Sequence, residues 1–305
     1  MAVMTTSTFA KNNWPGIKSW FGLEYKDHQD EHTMVFEKET SDKLYEEYVG
    51  QVGFGLAPVK AETEGISYDS MSQGFVVRGT NVVYGLGFKV SEEAIEDGRA
   101  FNIAKKGAKS IARSLRHTRE TNGANILNRA FNGSYAGGDA LELCSDVHLN
   151  AGDAGGTFQN ELTTAADLSE FALEQAIIDI NSWSDDRGLK IAIRPKRLII
   201  PPAVEFEAER FLASALRPDS ANNDINAVRS TGYLSGGYAV NHYLTDTDAW
   251  FITTDCADGL IYQERKKDSF DRDREFETDN VCYKGKSRYV FLWADPKGIY
   301  GSPGS

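Results

Sequence analysis

Between Val82 and Leu115 the apolar residues change period from two to helical spacing within one continuous stretch, so a strand and a long helix must follow each other directly. Val82, Tyr84, Leu86, Phe88 and Val90 share one face of the strand, and Val83, Gly85, Gly87 and Lys89 share the other. Ser91 then precedes Glu92, Glu93, Glu96 and Asp97, the charge sign that a helix N-terminus favours. Ile103, Gly107, Ala108, Ile111, Ala112 and Leu115 form a narrow, small-residue stripe that packs while the rest of the helix stays polar. Gly98 and Gly123 are its expected limits or kinks.

That helix is also an electrostatic anomaly. Arg99, Lys105, Lys106, Lys109, Arg113, Arg116, Arg119 and Arg129 face a single acid, Glu120, in a chain of net charge -12. The acidic total argues against a protein that coats nucleic acid by neutralising phosphates. A basic stripe on an acidic chain suits pairing between copies, with a solvated helix face as the competing reading.

The 305 residues set a prior of about two domains. No apolar window reaches the ~18 residues of a membrane span, and the start lacks the pattern of a signal peptide. Cys144, Cys256 and Cys282 are too far apart for a CxxC knuckle and odd in number, which fits a reducing compartment. Residues 1–50 mix isolated aromatics with nine acids from Glu24 to Glu47 and show no sustained period, the character of an arm that buries its aromatics elsewhere. Val52, Phe54 and Leu56 begin an extended run that is expected to pair with Val82–Val90 as a projecting hairpin, turning through the polar stretch 67–74. After a glycine-rich segment at 132–160, Thr164 and Asp167 suggest a capping box for a helix bearing Ala172, Leu173, Ala176, Ile177 and Ile180. Leu198–Ile200 reads as a buried strand stopped by Pro201-Pro202. A second helix then carries Val204, Ala208, Phe211, Leu212, Ala215 and Leu216. Short strands follow at 238–244, 249–253, 259–263, 274–281 and 288–293.

Residues 194–215, Arg-Pro-Lys-Arg-Leu-Ile-Ile-Pro-Pro-Ala-Val-Glu-Phe-Glu-Ala-Glu-Arg-Phe-Leu-Ala-Ser-Ala, resemble a recurring segment of tailed-bacteriophage major capsid proteins, particularly Mu-like major head subunits. Asp246 to Ile252 resembles the strand that often follows, and Phe276 to Gly301 the closing strands. The resemblance covers roughly residues 50–305 and implies an α+β chain with the shell fold first described for phage Hong Kong 97. Residues 1–50 would be the N-terminal arm, 51–90 the E-loop, 91–160 with 268–305 the P domain with its long spine helix, and 161–267 the A domain. It also implies a structural protein and not an enzyme. Its copies would form hexamers and pentamers that tile an icosahedral shell around double-stranded DNA, bound without sequence specificity. Portal protein and scaffold or decoration proteins would be further partners, with no membrane and no cofactor. The location would be the virion, after assembly in the host cytoplasm. The expected subunit-interface residues are Glu24, Asp27, Asp30, Glu31, Lys105, Lys106, Lys109, Arg113, Arg116, Tyr84 and Phe88. A nanocompartment (encapsulin-like) shell is the alternative within this class, and a soluble metal-dependent hydrolase the alternative outside it.

Other chemistry is thinly supported. His28 and His32 are four apart but do not form HExxH. Cys144 and His148 could pair as a dyad, yet they sit in a glycine-rich stretch. Asp139, Glu142, Asp146 and Asp153 read as a solvated loop. Gly285-Lys286-Ser287 lacks the earlier glycine and the following helix of a phosphate loop.

Overall fold

The computed structural model describes residues 30–96, 100–152, 156–216 and 224–305. In chain order, a 3-10 turn at Glu31–Met34 leads to β1 (Glu37–Thr40), β2 (Tyr45–Val52), β3 (Ser72–Thr80), β4 (Val82–Val90), α1 (Glu92–Glu96) and α2 (Ala100–Asn128). There follow β5 (His148–Leu149), β6 (Thr157–Phe158), α3 (Glu170–Ser182), β7 (Pro195–Ile200), α4 (Glu205–Ala213) and α5 (Ala227–Thr231). The chain closes with β8 (Tyr238–Val240), β9 (Trp250–Thr254), β10 (Leu260–Arg274), β11 (Val281–Trp293) and β12 (Ile299–Ser302).

Two four-stranded sheets organise these elements. The first has the order β1-β10-β11-β4 and joins the beginning, middle and end of the chain. Its inner face packs on α2, and the packing is close because small residues meet large ones. Gly285 of β11 faces Ile111 and Leu115, where a Cβ would come within 2.5 Å of the Ile111 side chain. Gly107 of α2 lies under the Phe88 ring in the same way. Tyr84 stacks on Tyr289 at 4.5 Å and Phe88 on Tyr283 at 4.9 Å, so aromatic pairs bridge β4 and β11 on this face.

The second sheet, β12-β9-β7-β8, is covered by α3. Leu198, Ile200, Trp250, Ile252 and Tyr300 meet Ala172, Leu173, Ala176 and Ile180 in one core. Pro201-Pro202 ends β7 and opens a short 3-10 turn into α4, as the sequence predicts.

The structure alters several sequence-based boundaries. The projecting hairpin is β2 paired with β3, not the run after Val52 paired with Val82–Val90. Gln73-Gly74-Phe75-Val76-Val77, in part read as turn, is strand, and its β-branched residues suit that state. β4 is drawn instead to β11, because only there does its aromatic face find α2 and the tyrosines. Residues 53–71 between β2 and β3 contain no regular element. Ser169, not Thr164, caps α3, its side chain accepting from the Ala172 N–H. α4 stops at Ala213 because Ser214 is extended and Asn226 takes up the carbonyls of Phe211 and Ser214. Residues 275–280, expected within a strand, form the turn of the β10–β11 hairpin, with Asp279 at φ 51°.

Gly285→Val should destabilise the subunit by about 1–3 kcal/mol through overpacking against Ile111 and Leu115. Denaturant titration measures this, and Gly65→Val, whose Cβ meets nothing within 4 Å, serves as the control.

Candidate assembly interface

The first described residues are rooted on the long helix. Glu120 is buried, and both its carboxylate oxygens are taken by His32: one accepts from the His32 main-chain N–H at 2.9 Å, the other lies 2.7 Å from the imidazole Nδ1. The imidazole sits edge-on to Tyr262 at 4.8 Å and Phe291 at 5.7 Å. Asp30 accepts from Arg116 Nε at 3.0 Å, and Arg119 pairs with Asp268 of β10 at 2.5 Å. Burial pushes the Asp30 carboxyl up against the opposing pull of His32. Asp30, Glu120 and Asp268 thus meet the His32 imidazole and the guanidinium groups of Arg116 and Arg119 under cover, each acid with a partner.

Asp30, His32 and Glu120 offer ligand atoms within 4.8 Å of one another, the spacing a metal would need. Two arginines beside them oppose a further cation, and each ligand atom already has a partner. His28 lies outside the described residues, as do Glu24 and Asp27. Glu31 bonds His242 at the surface, its carboxylate 2.9 Å from the main-chain N–H and 2.8 Å from Nδ1. The acidic arm segment and the basic helix therefore meet within one chain at Asp30 and Arg116.

Further along α2, Lys106 and Arg113 are exposed, Lys105 and Lys109 half-buried. Tyr84 and Phe88 have their ring faces occupied inside the subunit.

The β2–β3 ribbon is the opposite case. The eight residues of β2 span about 26 Å, and the connecting segment carries its apolar groups into solvent. Val59 is 97 % exposed, Tyr68 94 %, Leu56 82 % and Ile66 71 %. Phe54 and Met71 are more than half exposed as well. A contiguous display of this kind on a folded chain marks an interaction surface. Arg187 fixes the neck: Nε donates to the Gly53 carbonyl at 3.0 Å and Nη2 to the Ser70 carbonyl at 2.8 Å. Main-chain N–H groups of Gly55 and Ser70 hold the Asp69 carboxyl below its usual range.

The described residues thus form a two-sheet body, a long helix under one sheet and an extended ribbon. Residues 79–302 match the model of the phage capsid protein family. The chain belongs to this family of phage capsid proteins. By fold it is similar to the capsid of Ralstonia phage GP4, with 9 % identity over 89 % of this chain and 87 % of that one, at a TM-score of 0.56. It is similar likewise to the capsid of cyanophage P-SCSP1u, with 8 % identity, coverages of 88 % and 85 %, and a TM-score of 0.54. The capsid of a native GTA particle matches at 13 % identity, coverages of 96 % and 92 %, and a TM-score of 0.50. No curated protein matches by sequence. Among the described residues no helix is long and apolar enough to cross a membrane.

In this capsid protein the buried groups around His148 take structural partners. His148 is fully buried, with Nδ1 2.6 Å from Asp139 and Nε2 3.2 Å from the Leu143 carbonyl. Both ring nitrogens are thus engaged by groups other than Cys144, whose thiol burial pushes well up. Gly285-Lys286-Ser287 lies in β11, away from any helix N-terminus. Asp153 lies outside the described residues. Sequence reasoning missed Glu161: burial, then the charges of Asp146 and Glu142, push its carboxyl up to about 7. Only the fold brings these acids together, since Glu161 bridges to Gly301 and stands 15 residues from Asp146 in sequence.

Glu120→Ala should cost about 3–5 kcal/mol, because it strands the buried His32 imidazole and N–H, and urea unfolding measures it. The Glu161 carboxyl binds its proton more tightly folded than unfolded, so its contribution to stability falls as pH rises from about 4.5 to about 7 and is level above. Glu161→Gln should abolish that part of the slope and raise the unfolding midpoint at pH 8 relative to the parent chain.

Proposed function

We propose that this phage capsid protein is the major head subunit, assembling through hexamers and pentamers into an icosahedral shell that encloses double-stranded DNA. The observation that carries the reading is the exposed ribbon on a chain of this family. A segment with Leu56, Val59, Ile66 and Tyr68 in water is stable in solution only as a surface awaiting another surface. Permanent interfaces typically bury ~2,000–5,000 Å², and projecting ribbons and arms supply such area with few residues.

The acidic arm supports the same reading. Asp30 and Glu31 root its described end on α2 and on the loop at His242. Lys106 and Arg113 stay open on α2 and suit a contact with acidic groups of another copy. Individual exposed pairs are worth ~0.2–1 kcal/mol, but a shell repeats each of them at every subunit. The net charge of -12 suits a container whose wall lets the packaged polyanion enter and leave. Portal, scaffold or decoration proteins belong to this reading as partners, and the host cytoplasm as the place of assembly.

Replacing residues 53–71 by a two-residue Asn-Gly turn should leave subunit folding intact and abolish shell formation. Negative-stain electron microscopy and sedimentation give the readout. Normal particles from the shortened chain would refute the role of the ribbon, and a parent chain that yields no particles would refute the shell.

A further inference from the structure

The loop between α3 and β7 is built as a bracket, and one side chain reaches out of it. Asp185 closes the turn on itself: its Oδ1 accepts from the main-chain N–H groups of Arg187 at 2.9 Å and Leu189 at 2.7 Å, and its carbonyl accepts from Gly188, which sits at φ 77°. The next residue ties the turn to a neighbouring segment, since Asp186 Oδ1 accepts from the Ala151 N–H at 3.0 Å. Contact there is backbone on backbone. A Cβ on Gly152 would lie 2.1 Å from the Asp186 carbonyl oxygen and 3.2 Å from Val52 Cγ1, and Val52, the last residue of β2, is 1 % exposed. The end of the ribbon is thus plugged against a turn that is itself pinned.

From this turn Arg187 spans both legs of the segment that follows. Its Nε donates to the carbonyl of Gly53, just after β2, and its Nη2 to that of Ser70, just before β3, with Asp69 Oδ1 3.5 Å away. Asp69 in turn joins the legs to each other, accepting from the Gly55 N–H at 2.9 Å and from the Ser70 N–H at 2.8 Å. Beyond the β2–β3 ladder, no other hydrogen bond among the described residues links 53–71 to the rest of the chain. A planar guanidinium presents two donors in a fixed fork, which suits two carbonyls on separate legs, whereas an ammonium is a single point charge. Val52 holds β2 but not the segment beyond it, so the direction in which that segment leaves the body rests on Arg187 and Asp69.

We propose that Arg187 is a positioning residue for assembly: it sets the angle at which residues 53–71 leave their own subunit, and through that angle the uniformity of the shell. The inference rests on the shell reading and adds the residue that regulates it. A loop already held at its base loses less freedom on reaching another copy, which strengthens that contact without adding to it. Repeated contacts close into particles of one size when each imposes the same rotation between copies, and a loop free to swivel at its base imposes many.

The test uses the full chain. Arg187→Ala should leave the melting curve of the free subunit unchanged, raise the concentration needed for particles at least about tenfold, and replace one particle diameter by several, read by sedimentation and electron microscopy. Arg187→Lys, which keeps the charge and loses the fork, should spread the diameters in the same way. Asp69→Ala loosens the same neck without touching the bracket, should widen the diameters as well, and carries the test if Arg187→Ala fails to fold. Parent-like diameters and concentration dependence from either alanine variant overturn the positioning role. Parent-like particles from Arg187→Lys overturn the fork. A lowered melting curve for Arg187→Ala together with uniform particles from Asp69→Ala overturns the proposal in favour of a purely structural arginine. A parent chain that makes no particles overturns the shell reading itself.

Discussion

The contact on which the rest of the subunit depends is the seating of α2 against the β1-β10-β11-β4 sheet at two glycines. Gly285 admits Ile111 and Leu115, and Gly107 admits the Phe88 ring. This closeness lets a 29-residue helix lie on strands from opposite ends of the chain. The aromatic ladder of Tyr84, Tyr289, Phe88 and Tyr283 is then aligned, and the buried pairs His32–Glu120 and Arg119–Asp268 close over the far end. Each depends on the helix being at that distance, because buried ions that lose their partners are costly.

A body held in this way is complete, whereas its ribbon is not. The second sheet and α3 bury Trp250, Tyr300 and their neighbours entirely, while Leu56, Val59 and Tyr68 stay in water a short way along the chain. Within a single polypeptide the contrast makes sense as a division of labour. The body supplies stability, and in the proposed shell the ribbon supplies the contacts that one copy makes with the next. The acidic composition follows the same division, with bases gathered on α2 and on the outer face of β11, and acids distributed over most of the remaining chain.

Much of this was legible in the sequence, for identifiable reasons. The alternation from Val82 to Val90 and the small-residue stripe from Ile103 to Leu115 are local patterns, and both elements formed as read. Leu198–Ile200 with Pro201-Pro202 carried its own stop signal. The partner of each strand was less accessible, because pairing is decided by non-local packing. Val82–Val90 has the character of a hairpin arm, yet its aromatic face is satisfied only against Tyr283 and Tyr289, some 200 residues later. The nine acids from Glu24 to Glu47 and the basic helix are both visible in the sequence, but charge alone does not say that Asp30 meets Arg116 of its own chain. His32 read as a possible ligand and is an anchor, since Glu120 is 88 residues away in sequence and adjacent in space.

What the account requires above all is that residues 53–71 find their cover on another copy. Amide hydrogen exchange of that segment, compared between dissociated subunits and assembled particles, reads this directly. Rapid exchange in the free subunit and strong protection in the particle is the predicted outcome. Protection already present in the free subunit, or none in the particle, contradicts it.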